Sequence, residues 1–368
     1  MATAPQKNIP NGWQQARLGD ISDITNGKTN TQDAVTHGEY PLFDRSVAIK
    51  RSNKYLFDDT AVILPGEGAE FVPRYYSGKF DLHQRVYAIF PNETVYPLFL
   101  YQYLYANRAV FAQNAVGSTV KSLRLPIIQA VDVLLPTLPE QMKIAEILSA
   151  VDAEIQKTDE IITSTEKLKH GLMKQFLSAN KSSTKKRFSE LASLRKEAFD
   201  PKTEASEKYV GLEHIDQNSG ALLGFGDSIE TASIKTRFYA GDILFGKLRP
   251  YLRKYWKANF SGVCTTEILV FQPKEKRDAE FIFYLTQSDQ FINHSNSKSF
   301  GTKMPRTDWN IVSEFEFFAP SPIKRQEIGT LLTLIDQRTS INRKMRGRLV
   351  LLKKGLMHDL LSGKKKTI

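Results

Sequence analysis

Apolar positions along the chain follow two alternating registers. Over residues 60–64, 86–90 and 131–135, short apolar runs stop at Pro65-Gly66, Pro91-Asn92 and Pro136. Runs of this length closed by turn residues predict strands. Between the second and third, residues 97–107 place Leu98, Phe99, Tyr101, Leu104 and Tyr105 at helical spacing, which predicts one amphipathic helix. The register then changes. Pro139 stands at a helix-entry position, and Ile144, Leu148, Val151, Ile155, Ile162, Leu168, Leu172 and Phe176 follow it, with Thr158 and Thr165 filling intervening positions. Spacings that alternate between three and four over most of such a run predict a coiled-coil seam. A helix of about 38 residues is roughly 57 Å long, too long for one small core, so a second long helix packed along it is predicted.

The chain supplies that second helix by repeating itself. Residues 171–178 read Gly-Leu-Met-Lys-Gln-Phe-Leu-Ser and residues 355–362 read Gly-Leu-Met-His-Asp-Leu-Leu-Ser, an offset of 184 in a chain of 368. Working back from the second phrase, a helix starting near Pro322 carries Ile328, Leu332, Ile335, Leu349, Leu352, Leu356 and Leu360, each 184 beyond a seam position of the first. Before it, apolar runs at 241–245, 267–271 and 315–318 and a helical stretch at 279–286 restate the order of the first block. The sequences differ while the order agrees, so one unit is written twice. Residues 180–186 are polar and read as a linker, and the lysines at 364–366 read as a solvated, frayed end.

Composition narrows the class. A hydrophobic share of 41% supports two packed cores, and 25% charged residues is ordinary for a soluble protein. Cys264, the lone cysteine, excludes an intrachain disulfide and a cysteine-built metal site and fits a reducing compartment. No apolar run is long enough to span a bilayer, and residues 1–10 lack the apolar segment of a secretion signal, so a cytoplasmic chain with no membrane role is expected. The formal net charge of +11 favours a polyanionic partner, because each Lys or Arg set at a phosphate releases condensed counterions. A ribosomal or membrane-surface protein would share this balance.

Signs of catalysis are absent. Gly27-Lys28-Thr29 resembles the end of a phosphate-binding loop, but Ser22 occupies the position that needs glycine. Gly66-Glu67-Gly68 lacks the third glycine of a dinucleotide fingerprint, and the scattered histidines form no helical pair for zinc. There is no Asn-Pro-Pro-aromatic or Asp-Pro-Pro-aromatic run, and Asp58-Asp59 reads as a surface turn. No catalytic, metal-binding or cofactor-binding residue is assigned.

Several phrases carry a family resemblance. Trp13, Leu18-Gly19-Asp20-Ile21, Leu135-Pro136, Pro139-Glu140-Gln141, Ile144 to Leu148, Val151-Asp152 and Ile155 form one series. Phe188-Ser189-Glu190-Leu191, Ala319-Pro320, Gln326-Glu327-Ile328, Leu332 and Ile335-Asp336 repeat it, and stretches 40–46 and 209–215 open the divergent parts. From about Trp13 to Gly363 the chain resembles the specificity subunits of type I restriction-modification systems. It departs from the pattern where the second half lacks the opening tryptophan and where residues 323–326 replace 138–141. The second copy also reads as one residue shorter between its glutamine and its aspartate.

The resemblance implies an α+β architecture. Two mixed α/β target recognition domains, residues 1–138 and 186–320, would be joined by two long antiparallel coiled-coil helices, residues 139–180 and 321–363, in a pseudo-twofold repeat with a basic tail at 364–368. It further implies that each domain reads one half of a bipartite, asymmetric site in double-stranded DNA. The helices would set the spacing and dock two modification (methyltransferase) subunits, and restriction (motor-nuclease) subunits would join for cleavage. S-adenosylmethionine, ATP and Mg²⁺ are expected on those partners only. A stand-alone nucleic-acid enzyme with an unrecognised site and a coiled-coil adaptor without DNA readout are the alternatives.

Basic residues interleaved with aromatics and turn glycines are the DNA-binding candidates. In the first block these are Arg45, Lys50, Arg51, Lys54, Arg74, Tyr76, Lys79, Gln84, Arg85, Ser118, Thr119, Lys121 and Arg124. In the second they are Lys247, Arg249, Tyr251, Arg253, Lys254, Lys298, Thr302, Lys303 and Arg306. Arginine suits guanine and glutamine suits adenine in the major groove, while lysine, serine and glycine amides suit phosphates. Gln84 beside Arg85 is the preferred base-reading pair.

Overall fold

The first and last strands of each block explain how a mixed block is closed before a long helix begins. Gln14–Arg17 pairs antiparallel with Asp132–Leu135, and Thr184–Arg187 pairs antiparallel with Glu316–Ala319, so each block starts and ends on one two-stranded ribbon. These come from a computed structural model that describes residues 9–176, 184–230, 233–297 and 304–367. Inside the first ribbon lies a six-stranded sheet, ordered Ser22–Asn26, Val86–Pro91, Phe57–Pro65, Arg74–Leu82, Tyr40–Phe43 and Lys50–Ser52. Inside the second, the strands divide into two sheets. One holds Ala192–Leu194, Ile268–Pro273, Ile243–Gly246 and Tyr255–Lys257. The other holds Ala198–Phe199, Lys235–Phe238, Gly262–Cys264, Lys208–Val210 and Gly226–Asp227. The shared element is the antiparallel pair at each centre, with Pro65 opposite Val86 in one block and Gly246 opposite Ile268 in the other.

The predicted helices are present. Pro97–Ala106, with proline in its first turn, and Ala279–Gln287 pack within their blocks. The long helices run over Leu138–Phe176 and Pro322–Leu361. The chain divides into two units, one comprising residues up to Asp159 with those from Lys344 onward, the other Glu160–Arg343. Each unit therefore holds one block and a piece of both long helices. In the first unit Asp152 meets Lys353 and Asp159 meets Arg346; in the second Glu166 meets Arg343 and Lys169 meets Asp336. Rising numbers on one helix meet falling numbers on the other, so within each unit the helices run antiparallel.

Each core extends from a block onto these helices. In the first unit Trp13, Leu18, Leu100 and Leu104 pack with Ile144 and Leu148 from the first long helix and Leu360 and Leu361 from the second. In the second, Phe188, Phe271 and Phe291 share a core with Met173, Ile328, Leu332 and Ile335. Each fully buried leucine or isoleucine contributes roughly 1.5–3 kcal/mol. The repeated phrase gains a physical meaning here. Met173, at the end of the first helix, is buried in the second unit's core, and Met357 packs against the first unit's core.

Two details of the sequence reading are corrected. Leu168 and Leu352 do not lie in the seam: they are 54% and 51% exposed. The heptad places the seam one residue later, at Lys169 and Lys353, whose side chains are only 14% and 13% exposed and reach Asp336 and Asp152. An ion pair occupies a slot that apolar periodicity assigns to leucine. The second correction concerns register. Gln141 and Arg325, 184 apart, are both buried, and each donates to the carbonyl of an equivalent proline, Pro136 at 3.0 Å and Pro320 at 3.0 Å. Gln326 is exposed. The second copy is therefore not shorter; arginine stands where the first copy has glutamine.

Among the described residues no helix is long and apolar enough to cross a membrane. Residues 180–183 of the predicted linker lie outside the described residues.

Candidate nucleic-acid interface

At the end of the central strand pair, the first block brings three loops together. Gly66 N–H donates to Arg85 O at 2.9 Å, Leu123 N–H to Gly66 O at 2.8 Å and Gly68 N–H to Lys121 O at 3.1 Å. The approach needs glycine: a Cβ on Gly66 would lie 2.7 Å from Arg85 O. The hairpin tip at 117–121 stands exposed, with Gly117 at φ +106° and Val116 and Ser122 exchanging hydrogen bonds at its base. Ser118, Thr119, Lys121 and Arg124 are all solvent-facing there.

Charged side chains are organised around this cradle. Glu67, 12% exposed, binds Arg85 through Oε1 and Arg45 through Oε2, the latter at 3.3 Å, while both arginines remain more than 60% exposed. Arg74 donates to Val47 O at 3.1 Å and to Ser46 O, fixing the turn that carries Arg45. Lys50 lies 2.7 Å from Asp44. Burial opposes ionisation of the Asp44 carboxyl, but hydrogen bonds from Lys50 and Ser46 outweigh it and hold the pKa down at about 2. Gln84 donates to Asn30 Oδ1 at 2.7 Å. Burial lowers the His83 pKa from its usual value, and Arg85 and Arg45 add to that against the pull of Asp44.

The second block builds the same cradle with different side chains. Lys247 N–H donates to Glu267 O at 2.8 Å, Thr307 N–H to Lys247 O at 3.1 Å and Arg249 N–H to Pro305 O at 2.7 Å. Bridges Glu67–Ser122 and Leu248–Arg306 occupy equivalent places. Gly66 thus corresponds to Lys247, Gly68 to Arg249, Arg85 to Glu267 and Ser122 to Arg306. The acid has changed strands: Glu267 binds Arg306 at 2.9 Å. Lys247 Nζ donates to Thr266 O at 2.6 Å. Arg249 sits at φ +51°, a left-handed backbone that costs a non-glycine residue about 1 kcal/mol or more, and its buried Nε has no hydrogen-bond partner among the described residues. Tyr251 is half exposed beside it.

Several candidates are held elsewhere by structural bonds. Arg51 donates to Gly38 O at 2.9 Å and Glu39 O at 2.7 Å, Tyr76 packs edge-on to Phe43 and Phe80, and Lys79 lies over the Tyr55 ring at 4.7 Å. Lys54 is exposed near this second group. Arg253 binds Gln287 O at 3.0 Å and the Asp289 carboxylate, at the end of the helix Ala279–Gln287. Lys254 Nζ donates to Ile215 O at 2.9 Å and Leu212 O, closing a turn. A basic run in sequence is thus split by geometry, because Arg253 and Lys254 lead away from the cradle that Lys247 and Arg249 line. Lys298, Thr302 and Lys303 lie outside the described residues.

Glu67 and Glu267 escape a search for basic residues. Only Glu67 carries a local signal, the glycine on either side of it; nothing in the sequence around Glu267 marks it. Gly27-Lys28-Thr29 is a structural turn: the Lys28 and Thr29 amides donate to Leu82 O, and Thr29 Oγ1 bonds Asp81 at 2.7 Å. Burial pushes the Cys264 thiol pKa up, away from nucleophile chemistry. Among the described residues no group of three or more His, Cys, Asp or Glu side chains converges as a metal site would.

Residues 10–167 match the family model described as the type I restriction modification DNA specificity domain. The type I restriction enzyme EcoDI specificity subunit of Escherichia coli is 26% identical over 87% of this chain and 80% of its own length. The MjaVIII specificity subunit of Methanocaldococcus jannaschii is 24% identical over 97% of this chain and 93% of its own. The crystal structure of the S subunit of the type I restriction-modification system of M. genitalium superposes with a TM-score of 0.69 at 16% identity, covering 97% of this chain and 98% of that one. Residues 10–167 thus match the type I restriction modification DNA specificity domain, and over most of its length the chain is similar to specificity subunits of type I restriction-modification systems.

Proposed function

We propose that each block reads one half of a bipartite, asymmetric site in double-stranded DNA, and that the two long helices set the spacing between the halves. The carrying observation is the duplicated cradle: one backbone arrangement on a repeated frame, with the side chains exchanged. Two readers that share a scaffold but differ in side chains would select different half-sites. Phosphate contacts fix register and base-edge contacts carry sequence, so Lys121, Arg124 and Lys247 are assigned mainly to phosphates and Gln84, Arg45, Arg85 and Arg306 to bases.

Specificity subunits of these systems work with partner subunits. Two methyltransferase subunits are assigned to the helical frame, with restriction subunits joining for cleavage in the cytoplasm. S-adenosylmethionine, ATP and Mg²⁺ belong to those partners. Equivalent clefts support a paired docking mode: one of about 820 Å³ lined by Tyr105, Arg108, Lys354 and Met357, the other of about 420 Å³ lined by His170, Met173 and Gln287.

The test is methylome sequencing of cells that express the chain with candidate partner subunits. One bipartite motif should appear, and exchanging residues 186–320 for those of a relative should change one half of it only. Methyl transfer or cleavage by the purified chain alone, or a motif indifferent to the exchange, overturns the reading.

A further inference from the structure

We propose that Glu67 is a positioning residue: its carboxylate holds Arg45 and Arg85 side by side as a preformed guanidinium pair for reading bases in the first half-site. This rests on the cradle facing DNA.

Arg45 and Arg85 come from separate turns, and both are mostly exposed. Left alone, such side chains sample many rotamers, which blurs base discrimination. Glu67 removes that freedom, taking one arginine on each oxygen while itself largely enclosed. Gly66 makes the arrangement possible, since any side chain there would strike the Arg85 carbonyl. The bonds to Glu67 use Nη1 of each arginine. Nε and Nη2, an edge that can span guanine O6 and N7, are left for a base.

Stability does not account for this acid. Ion pairs with exposed arginines contribute little to folding. A carboxylate on a phosphate-facing surface also weakens general DNA affinity. What it supplies is geometry. The second block carries a simpler arrangement with one arginine: Glu267, at the position equivalent to Arg85, holds Arg306, at the position equivalent to Ser122. A carboxylate–arginine pair therefore recurs at one place in the cradle although the residues have changed strands.

The experiment uses the chain assembled with its methyltransferase subunits, measuring binding to duplexes randomised over the first half-site with the second half-site fixed. Glu67→Gln should lower discrimination at one or two adjacent base pairs of the first half-site by about tenfold, the scale of one bidentate contact. Affinity for random duplex should not fall, and second half-site selectivity should not move. Arg45→Lys and Arg85→Lys keep the charge but lose the fork, and they should relax the same base pairs even if Glu67→Gln does not assemble. Arg45→Ala and Arg85→Ala provide the reference. If these alanine variants weaken the first half-site while Glu67→Gln keeps full discrimination, the positioning role is overturned and the DNA-reading assignment stands. If the alanine variants leave binding and discrimination unchanged, both fall.

Discussion

Arg325→Gln tests how each block is fixed to its long helix. Gln141 accepts a hydrogen bond from Tyr96 N–H at 2.8 Å and donates to Thr94 O at 3.1 Å and Pro136 O at 3.0 Å, pinning the entry of the helix Pro97–Ala106. Arg325 does the corresponding task with no acceptor of its own, so its partner is a side chain: Asp278, at the entry of the helix Ala279–Gln287, held at 2.9 and 2.8 Å. The pair is buried, with side chains 7% and 1% exposed. Replacing Arg325 by the first copy's glutamine leaves the Asp278 carboxylate enclosed without its cation, a change that typically costs about 3–5 kcal/mol. Gln141→Ala loses neutral hydrogen bonds and should cost less, roughly 1–3 kcal/mol including the unmet Tyr96 N–H. Urea unfolding followed by circular dichroism gives the numbers, and Asp278→Asn with Arg325→Gln should recover at least half the loss. A single-mutant loss below about 1 kcal/mol, or no recovery in the double mutant, refutes the argument.

Other consequences are quicker to state. Inserting one turn into both long helices adds about 5.4 Å to each and should lengthen the gap between half-sites by about two base pairs while preserving both half-sites, as methylome sequencing would show. Asp44 has a folded pKa of about 2, below its ordinary value, so its contribution of about 2 kcal/mol is present above pH 4 and is lost as pH falls toward 2; Lys50→Met should flatten acid unfolding over that window. Lys121, Arg124 and Lys247, changed singly to alanine, should each lower the slope of log affinity against log salt by about one. Arg253→Ala should instead lower thermal stability with that slope unchanged, because its charge is committed to Asp289 and Gln287.

What was legible in the sequence depended on periodicity. The strand runs, the helices and the offset of 184 all rest on patterns of apolar residues, and burial follows them closely. The reading failed where a polar residue occupies a structural slot. Lys169 and Lys353 sit in the seam because Asp336 and Asp152 answer them across the helix pair and because Tyr284 and Tyr105 offer ring faces at 5.0 Å. Arg325, not Gln326, occupies the slot of Gln141, because the contact to the proline carbonyl and not the residue type is what the repeat preserves. Among DNA-binding candidates, proximity in sequence grouped Arg249 with Arg253 and Lys254, while the backbone turns them apart within a few residues, both arginines at positive φ. Chain-local charge density cannot report which carbonyl or carboxylate has already claimed a cation.

The seam ion pairs show how a repeated frame can fix two divergent domains. In the first unit Asp152 accepts from Gln102 of the helix Pro97–Ala106 at 3.0 Å and from Lys353 at 2.6 Å. In the second, Asp336 accepts from Tyr284 of the helix Ala279–Gln287 at 2.9 Å and from Lys169 at 2.8 Å. Each aspartate thus joins a block's own helix to both long helices, and the donor from the block differs while aspartate and lysine recur at the offset of 184. A carboxylate with several acceptor sites tolerates that exchange of amide for phenol. The divergent part of each block can change its loops, and even its helix donor, without altering the way it is seated. The same economy operates in the cradle, where main-chain bonds hold the form and the side chains are free to differ. The loops can therefore change by substitution, while the elements that seat each block remain under one structural constraint.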